Sequence, residues 1–110
     1  MSELKSKEDI RAHLRTQFGL TQEQIDSMLP SFLGTLAEYL AELGTHFAAD
    51  DSVEVGRLAH KTKGALLNLG LPEQAELAKD IETRAKAGAD LQDVAADHER
   101  LKLELASLLD

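Results

Sequence analysis

The chain has 110 residues and a formal net charge of −8 at pH 7, with 12 Lys and Arg against 20 Asp and Glu. This length is enough for one hydrophobic core and too short for two, so we expect a single domain over residues 1–110. The acidic balance argues against nucleic acid as a partner. The sequence has no cysteine, which excludes disulfides and thiolate metal sites.

The first twenty residues, Met1–Leu20, are charged throughout and contain no apolar run. They match neither the apolar region of a signal peptide nor the long apolar stretch of a transmembrane helix. From this segment we expect no membrane association and a cytoplasmic location.

Capping signals predict a short first helix. Ser6 with Asp9 three residues later forms a start signal, and Gly19 is suited to the left-handed residue that follows a helix. We expect residues 1–27 to form a helical cap over one end of the molecule.

The second helical segment begins at a further capping pair, Thr21 with Gln24. Pro30 leaves two interpretations open, either a short helix followed by a longer one or a single kinked helix. The apolar positions that follow alternate in steps of four and three, which is typical of a bundle helix; they are Leu29, Leu33, Leu36, Leu40, Leu43 and Phe47.

Three more helices have clear boundaries. Asp51 caps the third helix and Gly70 ends it. Pro72 suits the first turn of the fourth helix, Gly88 ends that helix, and Asp90 opens the last one.

No segment alternates with the period of a strand, and the connections are only a few residues long. The sequence therefore predicts an all-α fold. We expect an antiparallel four-helix bundle over residues 28–109, with a short additional N-terminal helix.

The third helix places a histidine on its polar side. On a helical wheel, His60 points away from the apolar stripe, which consists of Val55, Leu58, Thr62, Ala65, Leu66 and Leu69. Gly56 and Gly64 lie four residues before and after His60, and a glycine within a helix costs about 1 kcal/mol relative to alanine. Two such glycines beside an outward imidazole indicate that a large partner approaches the ring.

The sequence His60-x-x-Lys63-Gly64, followed by Asn68-Leu69-Gly70, resembles the signature of histidine-containing phosphotransfer (HPt) domains. These are small helical bundles of multistep phosphorelays, and the resemblance covers about residues 28 to 109. It implies that His60 accepts a phosphoryl group from a receiver-domain phospho-aspartate and passes it to another receiver. Lys63 would compensate the charge of the phosphoryl oxygens.

The resemblance also implies the partners, which are response-regulator receiver domains and a hybrid histidine kinase. The receiver would bring its own Mg²⁺, and we expect no cofactor on this chain. The residues expected at the docking surface are Gly56, Arg57, Gly64 and Leu67; Leu67 stands where members commonly have a smaller residue. We expect a monomer, because four helices can bury their apolar seams within one chain.

Two alternatives remain open. The same bundle could be a non-catalytic interaction module that docks receivers or kinases without carrying phosphate. It could also be a structural or dimerisation domain in which His60 is incidental. Val53 and Leu67 beside His60 would serve docking in either of the first two functions.

The sequence does not contain the residue patterns of the other active sites considered, which are metal sites and a nucleotide site. No glutamate lies three residues before any histidine, and His-Glu-x-x-His is missing, so neither a di-iron nor a zinc site is predicted. No glycine-rich phosphate loop is present, and we expect no autonomous kinase activity. His98 lies on the apolar seam of the last helix, where we expect a core histidine with its polar tip hydrogen-bonded. We assign no function to His46 or His13.

Overall fold

A computed structural model describes residues 6–109, and residues 1–5 of the predicted N-terminal cap lie outside the described part. The described chain is helical throughout, which confirms the prediction of an all-α fold. Its five α-helices are α1 (Lys7–Phe18), α2 (Gln22–Ala48), α3 (Ser52–Asn68), α4 (Pro72–Lys86) and α5 (Ala95–Leu109), and a 3₁₀ turn at Leu91–Val94 leads into α5. Between residues 6 and 109, no helix combines the length and apolarity needed to span a membrane.

The first three helices begin where the sequence predicts, whereas Asp90 caps a 3₁₀ turn and α5 begins only at Ala95. Ser6 accepts a hydrogen bond from the amide of Asp9, whose side chain accepts one from the amide of Ser6. Thr21 and Gln24 form the same reciprocal pair at α2. Asp51 accepts from the amide three residues on and so caps α3. These bonds satisfy backbone donors that the first turn of a helix leaves free.

The turn between α3 and α4 depends on a glycine. Gly70 has a φ of 77°, in the left-handed region, and a Cβ placed there would lie 2.5 Å from Cγ of His13. The turn therefore allows α1 to lie against the end of α3 through the His13 ring. Pro72 follows in the first turn of α4. A proline suits this position because the amide hydrogen that it lacks would have no acceptor within the helix.

Pro30 does not divide the second helical segment. α2 is one helix that contains it, so the interpretation with a single helix is the correct one, and the expected boundary between residues 27 and 28 falls inside α2. Pro30 is exposed, so water can satisfy the carbonyl group that its ring leaves without a partner.

The core stripe of α3 is buried as predicted, apart from Ala65, which is only partly covered. The one polar member, Thr62, is fully buried, and its hydroxyl donates to the carbonyl of Leu58 at 2.7 Å. A buried hydroxyl with such a partner avoids most of its desolvation cost. α3 packs on α2 and α4, and α5 also packs on both of these helices. His60 lies on the face of α3 opposite this buried stripe.

His98 is a core histidine, but the expected hydrogen bond at its tip is missing. Its Nε2 is buried without a partner, so that part of the prediction is wrong. The ring stacks on Phe47, with centroids 4.3 Å apart and planes within 4°. Burial disfavours the charged ring and lowers the pKa of His98 below its ordinary value of 6.5.

His98 should therefore make stability depend on pH. The unfolded chain binds a proton at His98 more readily than the folded chain, so this contribution is lost as the pH falls through 6.5. We expect the free energy of unfolding to fall less in His98→Phe than in wild type when the pH is lowered from about 7.5 to about 5.5. The substitution keeps an aromatic ring against Phe47. Urea unfolding at both pH values measures the difference.

Asp97 is present in both proteins, so the comparison isolates His98. Burial and the neighbouring Asp80 raise the pKa of Asp97 to about 6, which gives this residue the opposite pH dependence. An equal loss of stability in wild type and His98→Phe would show that His98 does not titrate as described.

Candidate functional site

His60 stands at the middle of α3 with its side chain 61% exposed, as its position opposite the core stripe predicts. Helices pack on both sides of α3 and hold it in place. An exposed ring on a fixed helix is accessible to a macromolecular partner, whereas a loop histidine would first have to be ordered.

Glu82 of α4 is the residue around which the site is organised. Its side chain is only 10% exposed, and its Oε2 lies 2.8 Å from Nδ1 of His60. Lys63 donates to Oε1 at 2.8 Å, and Lys86 donates to Oε2 at 2.9 Å. We refer to these four residues, Glu82, His60, Lys63 and Lys86, as the Glu82 cluster.

The charges of the Glu82 cluster keep its carboxylate ionised. Burial alone would raise the pKa of Glu82, but hydrogen bonds from Lys63, Lys86 and His60 outweigh burial and lower it to about 2. Two lysine charges face one carboxylate, so the cluster carries one excess positive charge when the imidazole is neutral. An anion placed at the ring would meet this excess charge.

The contact with Glu82 selects one tautomer of the His60 ring. An ionised carboxylate can only accept a hydrogen bond, so Nδ1 must carry the hydrogen that it donates to Oε2. In the neutral ring, Nε2 then keeps its lone pair. The arrangement therefore presents Nε2 of a mostly exposed ring as a nucleophile.

Gly56 lies on the α4 side of α3 and not on the open surface. It is buried, and a Cβ there would lie 3.1 Å from Cγ of Lys86 and 3.6 Å from Cβ of Ala85. The expectation that Gly56 clears space for a partner is corrected by this contact. Its missing side chain instead lets α4 approach α3 closely enough for Glu82 to reach His60.

The other residues expected at the docking surface lie on the open side of α3. A Cβ at Gly64 would have no neighbour within 4 Å. Leu67 is 51% exposed, as the complete core stripe of α3 predicts. Arg57 is exposed but already engaged, because its Nε and one terminal nitrogen both donate to Glu54, at 3.0 and 2.6 Å. Its charge is therefore shared with a carboxylate.

Two cavities flank His60. The first lies between α2 and α3, has a volume of about 510 Å³, and is lined by Phe32, Tyr39, Lys61, Gly64 and Asn68 among others. The second lies between α3 and α4, has a volume of about 430 Å³, and includes His60 itself in its wall. His60 therefore lies between these two cavities, which are open to the surface of a partner protein.

Sequence reasoning missed Glu82 and Lys86, although a signal for Glu82 existed. Position 82 lies four residues after Ala78 and three before Ala85, and both alanines are buried. A glutamate on that stripe faces inward and needs a partner, because a buried unpaired carboxylate is costly. Among residues 6–109, no group of three or more His, Asp or Glu is placed to hold a metal ion.

A family model described as Hpt domain matches residues 27–110 of the chain. The match covers α3 and α4, which carry the whole Glu82 cluster. Searches of the curated proteins and of the solved structures give no significant match.

The Glu82 cluster should stabilise the fold in a pH-dependent way. Because Glu82→Gln leaves two lysines facing an uncharged group, we expect it to lower the free energy of unfolding at pH 7 by about 1–3 kcal/mol. The folded pKa lies below the ordinary value of 4.5, so this stabilisation is present above 4.5 and lost as the pH falls toward 2. In urea unfolding, the difference in the free energy of unfolding between wild type and Glu82→Gln should therefore be smaller at pH 3 than at pH 7.

The matched control is Glu99→Gln. Glu99 pairs with Lys102 at 2.7 Å in an exposed ion pair of α5, and solvent screening leaves such pairs with little effect on stability. Equal stability of the two variants at pH 7 would contradict a structural contribution from the Glu82 cluster.

Proposed function

The chain belongs to the Hpt domain family, and on that premise we propose that His60 is its phosphoryl acceptor and that the protein is a phosphorelay intermediate. Hpt domains carry out histidine phosphotransfer in two-component signalling and interact with receiver domains. In this proposal, His60 takes the phosphoryl group from the phospho-aspartate of one receiver and gives it to another. The observation that carries the proposal is the contact between Glu82 and Nδ1 of an exposed His60 ring.

The transfer needs no proton to leave the ring. The lone pair of Nε2 attacks phosphorus, an N–P bond forms, the P–O bond to the receiver aspartate breaks, and the aspartate leaves as a carboxylate. The hydrogen on Nδ1 stays there, so the phosphorylated ring is a cation held against the Glu82 carboxylate. Onward transfer runs the same steps in reverse on the next receiver. Glu82 therefore positions the ring and balances its charge in both directions.

Lys63 and Lys86 are suited to donate hydrogen bonds to the phosphoryl oxygens. An ammonium group has three donors, and Lys63 and Lys86 each donate one hydrogen bond to Glu82, so donors remain for an incoming anion. Lys63, three residues after His60 on α3, is the residue that we assign to charge compensation. The Mg²⁺ ion would be supplied by the receiver, whose own site would carry most of the catalytic machinery.

The docking surface in this proposal consists of Arg57, Gly64 and Leu67 around His60. Gly64 leaves room for the partner backbone, and Leu67 offers an exposed apolar contact. Burying a leucine in a complex contributes about 1.5–3 kcal/mol, enough to change affinity tenfold or more. Gly56 takes part only indirectly, through the approach of α4.

We further propose that the four longer helices, α2 to α5, form an antiparallel bundle that acts as a monomer in the cytoplasm, with a hybrid histidine kinase upstream. The ring of contacts from α3 through α2, α5 and α4 back to α3 supports closure of the bundle within one chain. A cytoplasmic location follows from the partners, because such kinases use ATP. Exposed Val53 and Leu67 beside His60 would equally suit an interaction module without phosphotransfer.

Phosphate transfer from receivers tests the proposal. Receiver domains from the same cell, charged with acetyl phosphate and freed of the reagent, are incubated with this protein and its variants. We expect wild type to acquire acid-labile, base-stable phosphate, and we expect His60→Gln to acquire none while its melting temperature stays close to that of wild type, because His60 is mostly exposed. His46→Gln, which changes a histidine outside the Glu82 cluster, is the control and should be labelled like wild type.

Undiminished labelling of His60→Gln would refute the assignment of His60. Receivers that bind wild type but never transfer phosphate would instead favour the interaction module.

A further inference from the structure

The cavity between α3 and α4 is lined by three cations and by no carboxylate. Its volume is about 430 Å³, and His60 itself forms part of its wall, so the cavity lies directly beside the reacting ring. We call it the α3–α4 pocket; its other walls are Ser52, Val53, Arg57, Lys61, Ala85 and Lys86.

Positive charge is concentrated in the part of the chain that forms this pocket. Residues 57–86 contain six Lys and Arg against four Asp and Glu, whereas the remaining residues contain six against sixteen. The α3–α4 pocket therefore belongs to a net positive segment of an otherwise strongly acidic chain. A positive region on an acidic protein attracts and orients an anionic partner surface.

The three cations of the α3–α4 pocket differ in their existing contacts. Arg57 donates to Glu54, and Lys86 donates to Glu82. Lys61 is exposed, and no carboxylate within residues 6–109 forms an ion pair with it. Its ammonium group is therefore available to a partner.

The α3–α4 pocket also has an apolar wall. Val53 is 77% exposed, and Ala85 lies across from it on α4. A glutamate or aspartate side chain suits both features, because its methylene groups can contact the apolar wall while its carboxylate accepts charge-assisted hydrogen bonds from the cations.

We propose that the α3–α4 pocket binds one acidic side chain of the docked receiver domain and that Lys61 is the main determinant of this preference. The proposal rests on the function proposed for His60, because a receiver that brings its aspartate to Nε2 of His60 places the neighbouring surface over the pocket. That surface is expected to be acidic, since the Mg²⁺ of the receiver requires oxygen ligands such as carboxylates.

The test measures binding of each receiver domain of the same genome in the His60→Gln background, so that no phosphate is transferred. The receivers are loaded with beryllofluoride and Mg²⁺, which mimic their phosphorylated state. The variants are Lys61→Glu and the matched control Lys102→Glu, which changes the net charge by the same amount. Lys102 is exposed on α5 and lines neither cavity beside His60.

We expect Lys61→Glu to raise the Kd of the preferred receiver about tenfold at low salt, mainly through slower association. The difference should be smaller at high salt, because screening weakens interactions between exposed charges. Lys61→Ala, which removes the charge without adding a negative one, should act in the same direction with a smaller effect. Lys102→Glu should bind like the His60→Gln background, and equal melting temperatures would show that all variants are folded.

Charge reversal on the receiver identifies the occupant of the pocket. Each exposed Asp or Glu of the preferred receiver outside its phosphorylation and Mg²⁺ sites is replaced by Lys in turn. One of these replacements should bind Lys61→Glu more tightly than it binds the chain that retains Lys61. If none does, or if Lys61→Glu and Lys102→Glu weaken binding equally, the proposal of an acidic occupant is wrong.

Binding and phosphotransfer distinguish this proposal from the function of His60. A receiver that labels wild type but binds Lys61→Glu and Lys102→Glu alike would refute the acidic occupant and leave His60 as the acceptor. A receiver whose binding depends on Lys61 but that never labels wild type would refute the function of His60 and support the α3–α4 pocket. If no receiver binds, both proposals fail.

Discussion

One buried carboxylate governs the arrangement of the site. Glu82 is ionised despite its burial, because two lysines and the His60 ring all donate to it. Without these donors its desolvation would be costly, and without Glu82 the lysines would face each other and the ring would be free to turn. The geometry at His60 is thus a consequence of satisfying one charge on α4.

This interaction requires α3 and α4 to lie close together, and the sequence provides for it. Gly56 removes the side chain that would contact Lys86 and Ala85, so the glycine that seemed to serve a partner serves the helix interface. A Cβ at Gly64, by contrast, would have no neighbour within 4 Å. Of the two glycines flanking His60, one therefore lies in a helix interface and the other at the open surface.

Local signals made much of the fold predictable. The caps at Ser6, Thr21 and Asp51 stand where the sequence places them, because capping depends on residues only three apart. Exposure of His60 followed from the period of one helix. The Glu82 contact was missed, since residues 22 positions apart on different helices meet only through packing. Likewise, a helical wheel cannot show that α4 covers Gly56.

The central claim is that Glu82 holds the hydrogen of His60 on Nδ1 and leaves Nε2 as the nucleophile. Nitrogen-15 NMR of the neutral imidazole tests it most directly, because each tautomer has a distinct pattern of coupled ring signals. The account predicts a protonated Nδ1 and an unprotonated Nε2 for His60 in wild type, with that preference lost in Glu82→Gln. A wild-type ring protonated mainly on Nε2 would contradict it.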